Sequence, residues 1–353
     1  MATRAAPPVT ISRSAAIGGN HRVRFGVRGA MNRFTLPSAL ALITILVLSA
    51  CAASSGGGGS GAPGGANGSD GSGEGSTGSE DPGGAIAHPS GDDLVLSVGY
   101  EGGFVPVEFA VAQVPSFVLL GDGRVITQGA MTLEFPGPLL PPLQVRQLTE
   151  EGLQQVLEGV IETGLFDTDL DLRGAANMVA DASDTVFTLH AGEREVTVKV
   201  YGLGTLLPDM PTQGIDPAEV QAHQTLQRLS EQLLAIDQTL PADAFTDTGW
   251  QPFAADAYRL YVRDATADPE GELPGQVREW PTDDDPATTG DEVEAFGNGT
   301  RCIVVEGAEW TDELMPANQN TRWTADGETL YAIVARPLFP YEEHSCPEAA
   351  PGA

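Results

Sequence analysis

The sequence predicts an α+β fold for residues 86–353, antiparallel sheets with helices packed on one face, divided into two small units at about residues 245 and 246. Three observations carry this reading. Apolar residues recur with period two in several short runs, two pairs of which are joined by Asp-Gly, the dipeptide that supplies the positive φ angles of a tight hairpin. Two longer segments carry apolar residues at helical spacing behind good N-caps. The regular strand–helix alternation of parallel α/β proteins, the architecture of most transporter solute-binding proteins, is missing.

In the first unit, residues 86–245, "LVLSV" (Leu94 to Val98) and "VPVEFAV" (Val105 to Val111) alternate as half-buried strands do. "SFVLLGDGRVITQ" is read as a hairpin turning at Asp122-Gly123. After the Pro-rich "FPGPLLPPL", Thr149 caps a helix with Glu150 and Glu151 in its first turn. Leu153, Val156, Leu157, Val160 and Ile161 form its apolar stripe, and Gly164 ends it. "TVFTLHAGEREVTVKVY" is a second hairpin, with Val196, Val198 and Val200 inward and Glu195, Thr197 and Lys199 outward. Asp216-Pro217 opens a second helix, in which Val220, Leu226, Leu229, Leu233 and Leu234 share a face that ends near Ile236.

The pattern restarts in the second unit, residues 246–353. "YRLYVR" is a strand with Tyr258, Leu260 and Val262 on one face, followed by an acidic, Pro-containing stretch to about Asn298. "RCIVV" is a buried strand. A short helix runs from about Ala308 to Met315, where Pro316 closes it, and "TRWTADGETLYAIVARPLFP" is a hairpin around Asp326-Gly327.

Ahead of both units the composition changes twice. Residues 1–50 hold six arginines and no acid, leaving 12 basic residues against all 49 acidic ones from Cys51 onward, a balance of −37. A basic start, a run from Ala39 to Leu48 that is Leu, Ile, Val and Ala with one Thr, and small residues after it describe a signal peptide; the run is short for a membrane span. Leu48-Ser49-Ala50-Cys51 resembles the lipobox of bacterial lipoproteins. The resemblance implies cleavage before Cys51, a thioether-linked diacylglycerol on that cysteine, and a place on the extracytoplasmic face of the cell membrane. "MNRFTLPSALALITILVLSAC" is a complete leader of this kind by itself, so translation is expected to start at Met31. Residues 51–85, nearly all Gly, Ser, Ala, Asn and Pro, hold nothing that could repay ordering and read as a disordered tether. This layout resembles that of lipoproteins from GC-rich Gram-positive bacteria.

The acidity excludes nucleic acid as a partner and electrostatic docking on anionic lipid, since both need basic patches. With Cys51 assigned to lipid, Cys302 and Cys346 remain, and export favours a disulfide between them over two free buried thiols. G-x-S-x-G, H-E-x-x-H and C-x-x-C are all absent, and "GLGTLL" at Gly202 lacks the third glycine of a dinucleotide fingerprint. No histidine pair has metal-ligand spacing. Asp167, Asp169 and Asp171 alternate like calcium-loop ligands, but Leu172 and Met178 stand where such a loop needs Gly and Glu, so a solvated acidic loop is expected. No catalytic residue, metal or cofactor is assigned.

One stretch brings recognition chemistry together: Trp310, Asn318, Asn320 and Trp323 fall within fourteen residues and could form a sugar- or peptide-binding face. Core packing of the two indoles, with the amides in a turn, is the favoured alternative. The functional reading is therefore a membrane-anchored extracytoplasmic lipoprotein whose body is a non-catalytic binding module for an envelope protein or glycan. The alternative is a surface hydrolase built on a carboxylate pair, which would show as carboxyls of raised pKa in a deep cleft.

Overall fold

The computed structural model describes residues 84–131, 133–177, 179–206, 212, 214–268, 275–293 and 299–347. Residues 1–50, read above as a leader, Cys51, Met178 and all but the last two residues of the Gly/Ser segment lie outside them. The described residues belong to one compact unit, Thr77–Ala353, that contains two sheets.

The chain begins with β1 (Leu94–Gly102), a short α1 (Val107–Ala112), β2 (Phe117–Leu120), β3 (Arg124–Gln128) and β4 (Leu143–Gln147). Then come α2 (Glu150–Ile161), β5 (Leu170–Leu172), β6 (Ser183–Ala191), β7 (Arg194–Tyr201), α3 (Pro217–Leu234) and α4 (Ile236–Thr239). The remaining elements are β8 (Gln251–Pro252), β9 (Ala257–Asp264), β10 (Val277–Glu279), β11 (Asp291–Val293), β12 (Thr300–Glu306), α5 (Ala308–Leu314), β13 (Arg322–Thr324) and β14 (Tyr331–Pro337). The first sheet has the order β5-β7-β6-β1-β2-β3-β4-β8 and the second β10-β13-β14-β9-β12-β11.

This is the α+β architecture read from the sequence, with α2 and α3 on one face of the first sheet and α5 on one face of the second. Both Asp-Gly hairpins form, and Gly123 and Gly327 adopt the positive φ their turns require. The caps are in place: Thr149 Oγ1 accepts from Gly152 N at 3.0 Å, and Asp216 Oδ1 accepts from Ala218 N at 2.9 Å. Losing such a cap costs about 1 kcal/mol. The α2 stripe of Leu153, Val156, Leu157 and Val160 is buried against Val196, Val198 and Val200, at roughly 2 kcal/mol per side chain.

Several details differ from the sequence reading. "VPVEFAV" is not a strand: Pro106 caps α1, Glu108 lies in its first turn, and no α1 residue is buried. Its valines 107 and 111 are four residues apart, which suits a helix as well as a strand. Leu234 is exposed, being the last residue of α3 and one step around from the buried Leu233. "LDL" in the acidic stretch forms the edge strand β5, parallel to β7, and β10 pairs parallel with β13, so each otherwise antiparallel sheet has one short parallel edge. In β5 the period of two was present, but the aspartates hid it. Strands β4, β8, β10 and β11 are additions.

The chain crosses between the sheets more than once. Pro138, on the connection before β4, bridges Asn318 beside the second sheet, and Phe339, after β14, packs against Val118, Leu120 and Ile126 of the first sheet. Cys302 and Cys346 form a disulfide with Cα atoms 5.9 Å apart, tying the tail to β12.

Candidate functional site

The residues singled out for recognition do not form an exposed face. Trp323 is wholly buried on β13 opposite Tyr331, and Trp310 of α5 is buried edge-to-face on Trp280, their rings 5.2 Å apart. Both indoles face inward because α5 and β13 cover the second core with Leu260, Val262 and Ile333. Asn318 and Asn320 are half-buried in the turn between them: Asn318 Oδ1 accepts from Asn320 N at 2.9 Å, and Asn318 N donates to Thr321 Oγ1 at 2.9 Å. An amide that closes its own turn is a structural device. The possible stacking surface at Trp310 and Trp323 is thus set aside, and the favoured reading of the stretch, core packing with the amides in a turn, is what the structure has.

The aspartates after α2 also diverge. Asp169 accepts from Thr197 N at 2.8 Å, Asp171 pairs with Arg173 at 2.8 Å, and Asp167 lies 3.5 Å from Arg194. Among the described residues no group of three His, Cys, Asp or Glu side chains could hold a metal ion. The carboxyls with displaced pKa are held below the usual range by donated hydrogen bonds: Glu150 by Gln154 and His88, Asp264 by Thr266, and Asp268 by Arg263. The backbone amides of Thr329 and Glu328 lower Asp326 to about 2. Groups so held are poor proton donors at neutral pH.

The described residues present a different candidate at one end of the first sheet. Val98 is opposite Phe117, Phe117 opposite Thr127, and Thr127 opposite Gln144. This register puts the end of β1, the start of β2, the end of β3 and the start of β4 together. Two long connections, residues 103–116 and 129–142, leave from that end. On them Phe104 is 89% exposed, Phe109 62% and Phe135 70%, Leu133 is fully exposed, and Val105 and Met131 are largely so. Soluble surfaces hold single apolar residues routinely, but six on two connections that leave the same end of one sheet are a concentration that calls for an explanation.

The connections are anchored beneath this rim. Val111 packs with Tyr261 and Cys302, Gln113 O accepts from Arg336 Nε at 2.9 Å, and Leu139 N donates to Ala317 O at 3.0 Å. Where they meet the second sheet, Glu108, Tyr261, Arg263, Thr300, Gln319 and Arg322 line a cavity of about 120 Å³. Arg263 is satisfied there by a two-pronged pair with Asp268, at 3.1 and 2.8 Å, whose hydrogen bonds raise its pKa. The two connections themselves carry acidic charge alone, with Arg263 and Arg322 in the cavity beneath Glu108. Glu108 and Glu134 are exposed, Phe104 N donates to Asp181 O at 3.3 Å, and neither connection contains Lys or Arg.

The opposite end of the first sheet receives the start of the described chain. Gln154 clasps the Ile86 backbone twice: Ile86 N donates to Gln154 Oε1 at 2.7 Å and Gln154 Nε2 donates to Ile86 O at 2.8 Å. His88 Nε2 lies 3.1 Å from Glu150 Oε1 and its Nδ1 lies 2.6 Å from Pro89 O. Gly192, in the β6–β7 turn, donates to Ala87 O, and Gly121, in the β2–β3 turn, lies against Pro89 and Ser90 so closely that a Cβ would come within 2.6 Å of Ser90. A broad depression of about 510 Å³ beside His88, His190 and Arg194 occupies this end.

Sequence reasoning did not find the apolar end. Residues 105–111 read as a half-buried strand and 129–142 only as a Pro-rich connection, and it is strand register that brings residues 104–109 and 131–135 to the same end of the sheet. No family model matches the chain, and no curated protein or solved structure is similar enough to match.

Proposed function

We propose that this protein is an extracytoplasmic lipoprotein, anchored to the cell membrane through a diacylglycerol on Cys51, whose body is a binding module with no catalytic role. The observation that carries the binding reading is the exposed apolar group of Phe104, Phe109, Leu133 and Phe135 at the end of the first sheet remote from Ile86. A body tethered at one end and apolar at the other holds its recognition surface away from its attachment. The leader, the Leu48-Ser49-Ala50-Cys51 sequence and the Cys302–Cys346 disulfide support the location, since disulfides persist in exported proteins. The carboxyls of lowered pKa weigh against the hydrolase alternative.

The anchor is tested by producing the full chain and its Cys51→Ser variant in a lipoprotein-processing bacterium, then fractionating the cells and measuring intact mass. Membrane-bound protein beginning at an acylated Cys51, with the variant released or unprocessed, is expected. Membrane-bound protein with an unmodified Cys51 refutes the anchor.

A further inference from the structure

The apolar end has an electrostatic character that narrows its partner. Scaled by exposure, the rings of Phe104, Phe109 and Phe135 alone offer roughly 400 Å². That is about half of what one partner contributes to a standard protein–protein interface, near 800 Å². Leu133, Met131 and Val105 enlarge it, and aromatic and methionine side chains are those enriched at interface centres. Around it stand Glu108, Glu134 and Asp181, and the two connections supply no cation. The chain as a whole carries −31.

We infer that the end formed by residues 103–116 and 129–142 docks a protein partner presenting an apolar surface bordered by lysines or arginines. This deepens the binding-module reading and rests on it. Complementary charge steers such a partner and rejects others. A second copy would bring Glu108, Glu134 and Asp181 against their own counterparts, and like charges across an interface are repelled. An anionic bilayer is repelled by the same rim and by the net charge, because lipid docking uses basic residues beside the apolar ones.

The test uses the full chain carrying Cys51→Ser, beside the same chain with Phe104→Ser and Leu133→Ser, and a third with Glu134→Lys. All three positions are exposed, so folding is checked by equal urea midpoints. The probes are a synthetic amphipathic helical peptide with lysines flanking a leucine face, its glutamate counterpart, and vesicles of neutral and of anionic phospholipid; self-association is followed by sedimentation. Affinity for the lysine peptide is expected to fall about tenfold or more with the paired serines, which leave net charge unchanged, and to weaken with Glu134→Lys. The glutamate peptide should not bind. Equal binding of the lysine peptide by all three chains overturns the inference, since attraction would then come from net charge alone. Vesicle binding or self-association that the serines abolish also overturns it, while leaving the apolar end a binding surface. If no probe distinguishes the serine variant, the binding-module reading falls with it.

Discussion

Two glycines seven residues apart in α2 give the same substitution opposite signs. Gly159→Ala places a methyl in open space on the solvent side of the helix, where nothing lies within 4 Å. It should gain the full helix-propensity difference, about 0.5–1 kcal/mol. Gly152→Ala gains the same local preference, but its Cβ would stand 2.3 Å from Ala244 O and 3.0 Å from Ala244 Cβ. An ordinary carbon–oxygen contact is about 3.3 Å, so the carbonyl must retreat by about 1 Å. That carbonyl accepts from Thr149 N at 2.9 Å and from Thr149 Oγ1 at 3.3 Å, and Thr149 is the residue that caps α2. A shift of this size breaks the shorter bond, at about 1 kcal/mol, and overpacking adds about 1–3 kcal/mol. Net of the propensity gain, Gly152→Ala should destabilise by about 2 kcal/mol. Urea unfolding followed by tryptophan fluorescence reads both variants on one scale. A Gly152→Ala protein as stable as the parent refutes the argument that close approach of residue 244 requires glycine there.

The remaining predictions concern the disulfide and the buried histidine. Cys302 and Cys346 are 44 residues apart, and closing a loop of that length in the unfolded chain is worth about 4 kcal/mol on loop-closure entropy. Cys346→Ala should therefore lower the urea midpoint by about 1 M or more at an m-value of about 3 kcal/mol per M, and an unchanged midpoint would show that the tail's own contacts already suffice. His223 is buried on α3, and burial pushes its pKa down, outweighing the nearby carbonyls of Tyr201 and Gly202 and the Glu219 carboxylate, which favour the charged form. The unfolded chain then takes up a proton as pH falls through about 6.5 and the folded chain does not, so stability is lost from there downward. His223→Leu should remove this component. Midpoints measured between about pH 7.5 and 5 should show the variant gaining on the parent as pH falls, and parallel profiles would sink the idea.

Most of the fold was legible because its signals are local. Asp-Gly turns, the Thr149 and Asp216 caps, and the stripes of α2 and α3 each fix an element from neighbours a few residues away. Elements set by distant partners were not legible. β8, β10 and β11 are only two or three residues long and exist because β4, β13 and β12 lie beside them. For Trp310 and Trp323 the sequence left two readings, a recognition face and the favoured core packing, and only the direction in which α5 and β13 turn decides for the core. The apolar end was not legible, since Phe104 and Leu133 are 29 positions apart and come to the same end of the sheet only through the pairing of β1, β2 and β3. Cys302 with Cys346 needed parity and compartment alone.

The clasp at Ile86 determines how the body bears a pull. Tension arriving along the chain from ahead of Ile86 first loads two opposed amide bonds to Gln154 and the His88–Glu150 pair, which are small and near solvent. Beyond these, Ala87, Gly91 and Asp93 are held in turn by the amides of Gly192, Asp122 and Gly121, so the eight residues from Ile86 to Asp93, about 27 Å when fully extended, come away bond by bond before β1 is strained. β1 is the harder stop: it lies between β6 and β2, bonded to both, with Val95, Leu96 and Val98 in the core. Residues 86–93 are thus attached by separate bonds that can open one at a time, whereas the sheet that shapes the far end is held by a continuous ladder on both sides of β1.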